Sequence, residues 1–371
     1  MSAAEAPHIH NLWFSRKSIF KTNELIDCSA ITWDGSLVLT GGRNGFLRVW
    51  DAIRGIEIST ISVGSPISQI ALLEISKRRE IFLVGCKDGL LRLYWRPTTS
   101  YLSQLLRTIG LPSAVWFQPF RFALETNLKG RIESIAYSKT TVAVASENLC
   151  IYSLKTRLTG VLASSIRFEL DLVGEQVLNR HLIGGGSRSE KRPNFVYFLH
   201  DNLLLATFVD CRPSGLETII STFQIFPWTV IKVVECNRRA GSLAVNPMGN
   251  VLAMNNLSDG VDILSVPHLS YLGTILKKVD HLHNFIQGLT FISQTCVVVS
   301  GSSSLCVADV SALQIVSSLS ECKISDTFPT LARRLILSFS VSPNRRGYLL
   351  SQALAWFIFG TGKTFVRFAI V

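Results

Sequence analysis

The sequence predicts an all-β fold built from repeated four-stranded units. Three observations carry that expectation: a hairpin pattern recurs along the chain, short apolar runs rich in Val, Ile, Leu and Phe dominate it, and no stretch shows sustained helical periodicity. The first copy lies in residues 34–51. It has a turn at Asp34-Gly35, an apolar run from Leu37 to Leu39 and a small-residue step at Gly41-Gly42. A second turn at Asn44-Gly45 leads into an alternating run from Phe46 to Val49 that ends in Trp50-Asp51. Two short strands joined by Asn-Gly predict a hairpin with a type I′ turn, which needs positive φ at both central residues.

The pattern recurs with decay. In residues 81–95, Asp88-Gly89 occupies the turn and Tyr94 stands where Trp50 stood. A third copy starts at Val142, turns at Asn148 and closes at Tyr152. A fourth, Ala240 to Val266, contains Asp259-Gly260, and a fifth runs from Gly288 to Asp309. A degraded copy fits residues 195–226, with strands near Phe195–Leu199, Leu203–Val209 and Thr218–Ile225. About 44 residues separate Trp50 from Tyr94 and Ile263 from Val307, a spacing suited to four-stranded blades. The wider gaps predict loop insertions near 96–129 and 180–193, the latter Gly-rich and basic. Residues 1–20 read as an N-terminal segment, 21–345 as the repeats and 346–371 as an apolar C-terminal segment of closing strands. Its first apolar run is about 13 residues, short of the ~20 that a spanning helix needs.

The Trp50-Asp51 ending and the turn positions of the later copies resemble the WD-repeat (WD40) β-propeller family, of which the chain looks like a divergent member. The Gly-His pair of that family is absent from every copy. The resemblance implies a β-propeller of about seven four-stranded blades, six of them visible in the sequence. The repeat positions are Asn44, Gly45, Trp50, Asp51, Asp88, Gly89, Tyr94, Tyr152, Asp259 and Gly260. Family members bury a hydrogen-bonded set of turn Asp, His, Ser/Thr and Trp in each blade. Here the first copy offers Asn44, Thr40 and Trp50, and the second Asp88 and Tyr94, with Gly85 where the hydroxyl would be. Apolar packing is therefore expected to supply most of the stability. The resemblance further implies a rigid, non-catalytic scaffold that presents loops to protein or peptide partners. By that carry-over the residues just before each turn, Arg43, Lys87, Glu147 and Ser258, face the partner.

The remaining motifs point away from chemistry. Gly360-Thr-Gly-Lys-Thr364 is half of a phosphate-binding loop, but Phe357 stands where its first glycine belongs, and no nucleotide or other cofactor is expected. The eight cysteines form no C-x-x-C and no zinc spacing; Cys86, Cys150, Cys296 and Cys306 sit in strand runs and read as small buried hydrophobes. The pairs His8/His10 and His281/His283 read as solvated loop residues rather than metal ligands. No G-x-S-x-G elbow occurs, so no catalytic residue is assigned and the chain is not expected to be an enzyme. The net charge is +11, spread over clusters at Lys77–Arg79, Arg188–Arg192, Arg238-Arg239, Lys277-Lys278, Arg333-Arg334 and Arg345-Arg346, all expected in loops. None reaches the length of a nucleic-acid arm, which disfavours nucleic acid as a partner. The alternative function is peripheral binding of phosphoinositide or an acidic membrane surface through these loops. The first residues lack a secretory apolar core, so a cytoplasmic or nuclear setting is expected.

Overall fold

The computed structural model describes residues 14–21, 26–32, 36–52, 54–76, 79–97, 119–159, 165–176, 191–210, 218–277, 288–300, 304–320, 336–339, 353–359 and 364–370. Among them every regular element is a strand. After β1 (Phe14–Lys21), six antiparallel sheets each use four consecutive strands. They are β2 (Ile26–Ile31), β3 (Leu37–Gly42), β4 (Phe46–Asp51) and β5 (Glu57–Ser62); β6 (Ile67–Ser76), β7 (Arg79–Cys86), β8 (Leu90–Pro97) and β9 (Arg121–Asn127); and β10 (Ser134–Ser138), β11 (Thr141–Ala145), β12 (Leu149–Thr159) and β13 (Ser165–Gln176). Then follow β14 (Lys191–His200), β15 (Leu203–Asp210), β16 (Thr218–Gln224) and β17 (Thr229–Cys236); β18 (Leu243–Val245), β19 (Val251–Asn255), β20 (Gly260–Ser265) and β21 (Tyr271–Leu276); and β22 (Leu289–Phe291), β23 (Cys296–Ser300), β24 (Ser304–Asp309) and β25 (Gln314–Ser320). The last three strands, β26 (Ile336–Phe339), β27 (Ala353–Phe359) and β28 (Thr364–Ile370), form a further four-stranded sheet with β1, in the order β1-β28-β27-β26. The chain is thus all-β, with the repeated four-stranded antiparallel sheets that the hairpin pattern predicts.

The chain divides into two compact units. One holds residues 23–240 with 265–270, and the other holds residues 1–22, 241–264 and 271–371. In the first, the core lies between consecutive sheets. Leu39, Leu47 and Val49 meet Phe82 and Val84 of the next sheet; Leu83, Leu91 and Leu93 of that sheet meet Val142, Val144 and Tyr152; Ala143 and Ile151 in turn meet Leu204 and Phe208. A strand covered on both faces cannot alternate in polarity, so β3, buried at every position, reads as a near-continuous apolar run. In the other unit, Val261 and Ile263 meet Phe291, Val297 and Val299 in the same way. Each fully buried aliphatic side chain contributes about 1.5–3 kcal/mol. The small-residue step of the repeat has a packing cause. A Cβ on Gly41 would lie 2.7 Å from Ile67 of the next sheet, and one on Gly85 would lie 2.6 Å from Ile132.

Three expectations are corrected. The hairpin turns are not type I′. Gly45 N donates to Gly42 O, and Gly45 has φ +73°, but Asn44 is not among the residues with positive φ. The same holds for Gly89, which donates to Cys86 O with φ +93° after an ordinary Asp88. Each is a β-turn followed by a left-handed glycine, the three-residue alternative to a two-residue loop. The region read as an insertion near 96–129 contains strand β9, so it supplies the fourth strand of the second sheet, while residues 98–118 lie outside the described residues. Finally, not all basic clusters are in loops: Arg79 opens β7, and Lys191 and Arg192 open β14.

Candidate functional site

The antiparallel order puts two kinds of connection at one end of the first unit's sheets: the turn between the second and third strands, and the link from each sheet to the next. Hydrogen bonds lock these together. Val63 N donates to Gly45 O at 2.8 Å, Leu128 N to Gly89 O at 2.9 Å and Glu147 N to Lys129 O at 3.2 Å. Each turn is also braced from within. The Asn44 carboxamide oxygen accepts from Phe46 N at 3.2 Å, and an Asp88 carboxylate oxygen accepts from Leu90 N at the same distance. The result is a set of backbone platforms with Arg43 and Glu147 exposed at their tips and Lys87 half-buried.

Two of the tip residues converge. Lys87 Nζ lies 2.5 Å from Asp27 Oδ2, and Arg43 Nε lies 3.7 Å from the same oxygen. Asp27 belongs to β2, so one carboxylate on an inner strand gathers cations from the turns of two sheets. The Arg43 side chain remains 54% exposed, whereas Lys87 and Asp27 are largely covered. Glu147 is exposed on the third sheet's turn, beside Gly130. Ser258 belongs to the other unit. There Asn256 organises the turn: its carboxamide oxygen accepts from the backbone N of Ser258, Asp259 and Gly260, and its Nδ2 donates to Asp259 and to the buried Asp262. Left-handed backbone falls on Leu257, at φ +55°, one residue ahead of Ser258. Sequence reasoning missed both Asp27 and Asn256. Asp27 carries no local signal, whereas the Asn255-Asn256 doublet just before Asp259-Gly260 is a recognisable turn signal.

The closing residues are buried. Trp50 Nε1–H donates to Thr40 Oγ1 at 2.8 Å, so two members of the expected set bond each other while Asn44 braces the turn. Asp51 is buried and accepts from Arg54 N at 3.0 Å, which caps the bend that follows β4. In the second sheet aromatic packing replaces the Trp–Thr bond: Tyr94 stacks on Phe82 at 5.4 Å, and Phe82 meets Phe120 edge-on at 4.7 Å. Tyr152 lies in the core between the second and third sheets. At the outer end of the second sheet the fully buried Arg96 pairs with Glu80 at 2.5 Å and lies 4.8 Å over the Phe120 ring.

Burial sets the reactive groups. It pushes the Cys28 thiol far up and the Cys86 thiol up to about 11, so both are inert at neutral pH. Burial pulls the Lys277 ammonium down to about 8. Cys28, Cys86, Cys150, Cys296 and Cys306 are buried. Among the described residues no group of three or more His, Cys, Asp or Glu is placed to hold a metal, and no helix is long and apolar enough to cross a membrane. His8, His10, His281, His283, Arg188 and the Gly360–Lys363 stretch lie outside the described residues. Of the basic clusters in the first unit, Arg192, Arg238 and Arg239 are exposed at the same end as Arg43, and Arg79 lies at the opposite end. Compared with known proteins, the chain matches no family model and no curated relative.

Proposed function

We propose that this chain is a divergent WD-repeat β-propeller that works without catalysis, as a rigid platform whose turn end holds protein or peptide partners. The observation that carries this reading is the Arg43–Asp27–Lys87 cluster. It gathers cations from two turns on a carboxylate of β2, with Glu147 exposed on the third sheet's turn, and backbone hydrogen bonds hold those turns in place, so little ordering cost remains to be met on binding. Mixed charge at a preorganised rim favours a polar protein surface over a uniformly anionic one. The seven four-stranded sheets and the apolar cores between successive sheets support the propeller reading.

The test places a photo-crosslinking amino acid at position 43 and, as a control, at Lys155, which is exposed on β12 and paired with Asp171. Position 43 is expected to yield discrete protein adducts in native extract, and these are expected to vanish in a Lys87→Glu background whose melting temperature is unchanged. Adducts from position 155 alone would overturn the reading. A second reading, an acidic membrane surface, draws on the net charge of +11 and the exposure of Arg192, Arg238 and Arg239 at the same end. Pelleting with phosphoinositide vesicles at physiological salt that is lost in an Arg188→Ala/Lys191→Ala/Arg192→Ala variant would put this reading ahead.

A further inference from the structure

Each sheet among the described residues ends in an edge strand, and an edge strand presents a row of backbone N–H and C=O groups to any strand that reaches it. Proteins commonly protect such edges with charge, and the fourth strands of four of the six sheets built from consecutive strands do so. β5 carries Glu57; β9 carries Arg121 and Glu125; β13 carries Arg167, Glu169 and Asp171; β17 carries Lys232 and Glu235. The outer strands β21, reading Tyr-Leu-Gly-Thr-Ile-Leu, and β25 carry none. Of the two, β21 is the more apolar at its surface: Tyr271 is 63% exposed, Leu272 53% and Leu276 70%.

The strand is also held in shape. Tyr271 Oη and Thr274 Oγ1 lie 2.5 Å apart, and Thr274 Oγ1 donates to the buried Asp262 Oδ1 at 2.5 Å, so the tyrosine hydroxyl is the donor in the first bond. Asn256 Nδ2 donates to that same Asp262 oxygen. A relay of four side chains therefore ties the edge to the neighbouring strand and the turn before it, which lowers the ordering cost of pairing.

We propose that the outer edge of β21 accepts an extended segment of a partner protein as a fifth strand, a segment apolar at alternate positions and flanked by acidic residues. Main-chain hydrogen bonds supply the affinity of such pairing, and Leu272 and Leu276 meet the partner's apolar side chains. The acidic flanks follow from charge. The whole chain carries +11, so an acidic segment is drawn in while a second copy of this chain, equally basic, is repelled. This edge belongs to the other compact unit and shares no residue with the Arg43–Asp27–Lys87 cluster, so the inference does not depend on that reading.

The experiment uses the full chain and a fluorescent synthetic peptide that alternates valine and threonine between terminal glutamates. Binding is read by anisotropy, and its location by amide hydrogen exchange. The expected result is saturable binding with new protection at residues 271–276. A peptide N-methylated at alternate amides keeps the side chains and loses the ladder, and it should bind at least about tenfold more weakly. The Leu272→Glu/Leu276→Glu variant should lose binding to the same degree, with circular dichroism confirming its fold. No saturable binding, protection elsewhere, or affinity indifferent to N-methylation would overturn the proposal. So would a dimer of the unmodified chain that the double variant dissolves, because a second copy would then occupy the edge.

Discussion

Trp50 shows how little of a repeat's hydrogen-bonded set is needed once a side chain is buried. Its indole is 3% exposed, and its one donor is satisfied by Thr40. A buried donor without a partner costs about 1–3 kcal/mol, more than the net worth of the bond itself. Thr40→Val is therefore expected to destabilise by about that much. Trp50→Ala, which opens a cavity as well, should cost about 3–5 kcal/mol. Urea unfolding measures both, and an unchanged midpoint for Thr40→Val would show that the bond contributes nothing. Tyr94, at the corresponding place in the next sheet, keeps its position through ring packing against Phe82 and Phe122. The closing aromatic was legible in the sequence; which partner each one takes was not, because that depends on side chains brought in from other strands.

At the scale of the element, the turns carry the contrast between local and non-local information. The Asn-Gly and Asp-Gly dipeptides mark the hairpins correctly, since small polar residues and glycine meet the backbone demands of any tight reversal. The turn type, however, is set by what lies against it. A Cβ on Gly89 would fall 2.1 Å from Leu128 O, and one on Gly45 2.9 Å from Ser65 N, because each glycine is pressed against the link to the next sheet. A left-handed non-glycine residue costs about 1–2 kcal/mol before any clash. Gly89→Ala is therefore expected to lower the melting temperature more than Gly45→Ala, and both more than Asn44→Asp, whose carboxylate can still accept from Phe46 N. The reverse order would mean that the links to the next sheet do not press on these turns. The degraded repeat at 195–226 was found from apolar runs alone, and β14 to β16 follow them closely. By contrast, β9 was hidden because its exposed, charged residues have no apolar alternation.

At the scale of the molecule, the two ends of the chain meet in one sheet. β1 pairs with β28 from Phe14↔Ile370 to Lys21↔Thr364, with an irregularity between Arg16 and Ser18. The entropic cost of closing a loop grows only logarithmically with length, so a ladder of this extent can offset it even between chain ends. Deleting residues 1–21 would turn β28 into an edge strand. Its amides are then expected to exchange with solvent at least about tenfold faster, since a missing neighbour removes half of their ladder. Unchanged protection of β28 in the truncated chain would mean that the β1–β28 pairing does not persist in solution.

The all-β class, the repeat and the places where most strands begin and turn can be read from the amino acids in order. These depend on residues close together in the chain, through alternation, turn chemistry and the apolar runs of strands covered on both faces. The gathering of Arg43 and Lys87 by Asp27, the burial of Arg96 against Glu80 and the uncharged apolar edge of β21 arise from packing in three dimensions. Each of these depends on which strands neighbour which across tens of residues. No local pattern encodes that choice, because it is made by the burial of whole sheet faces against one another.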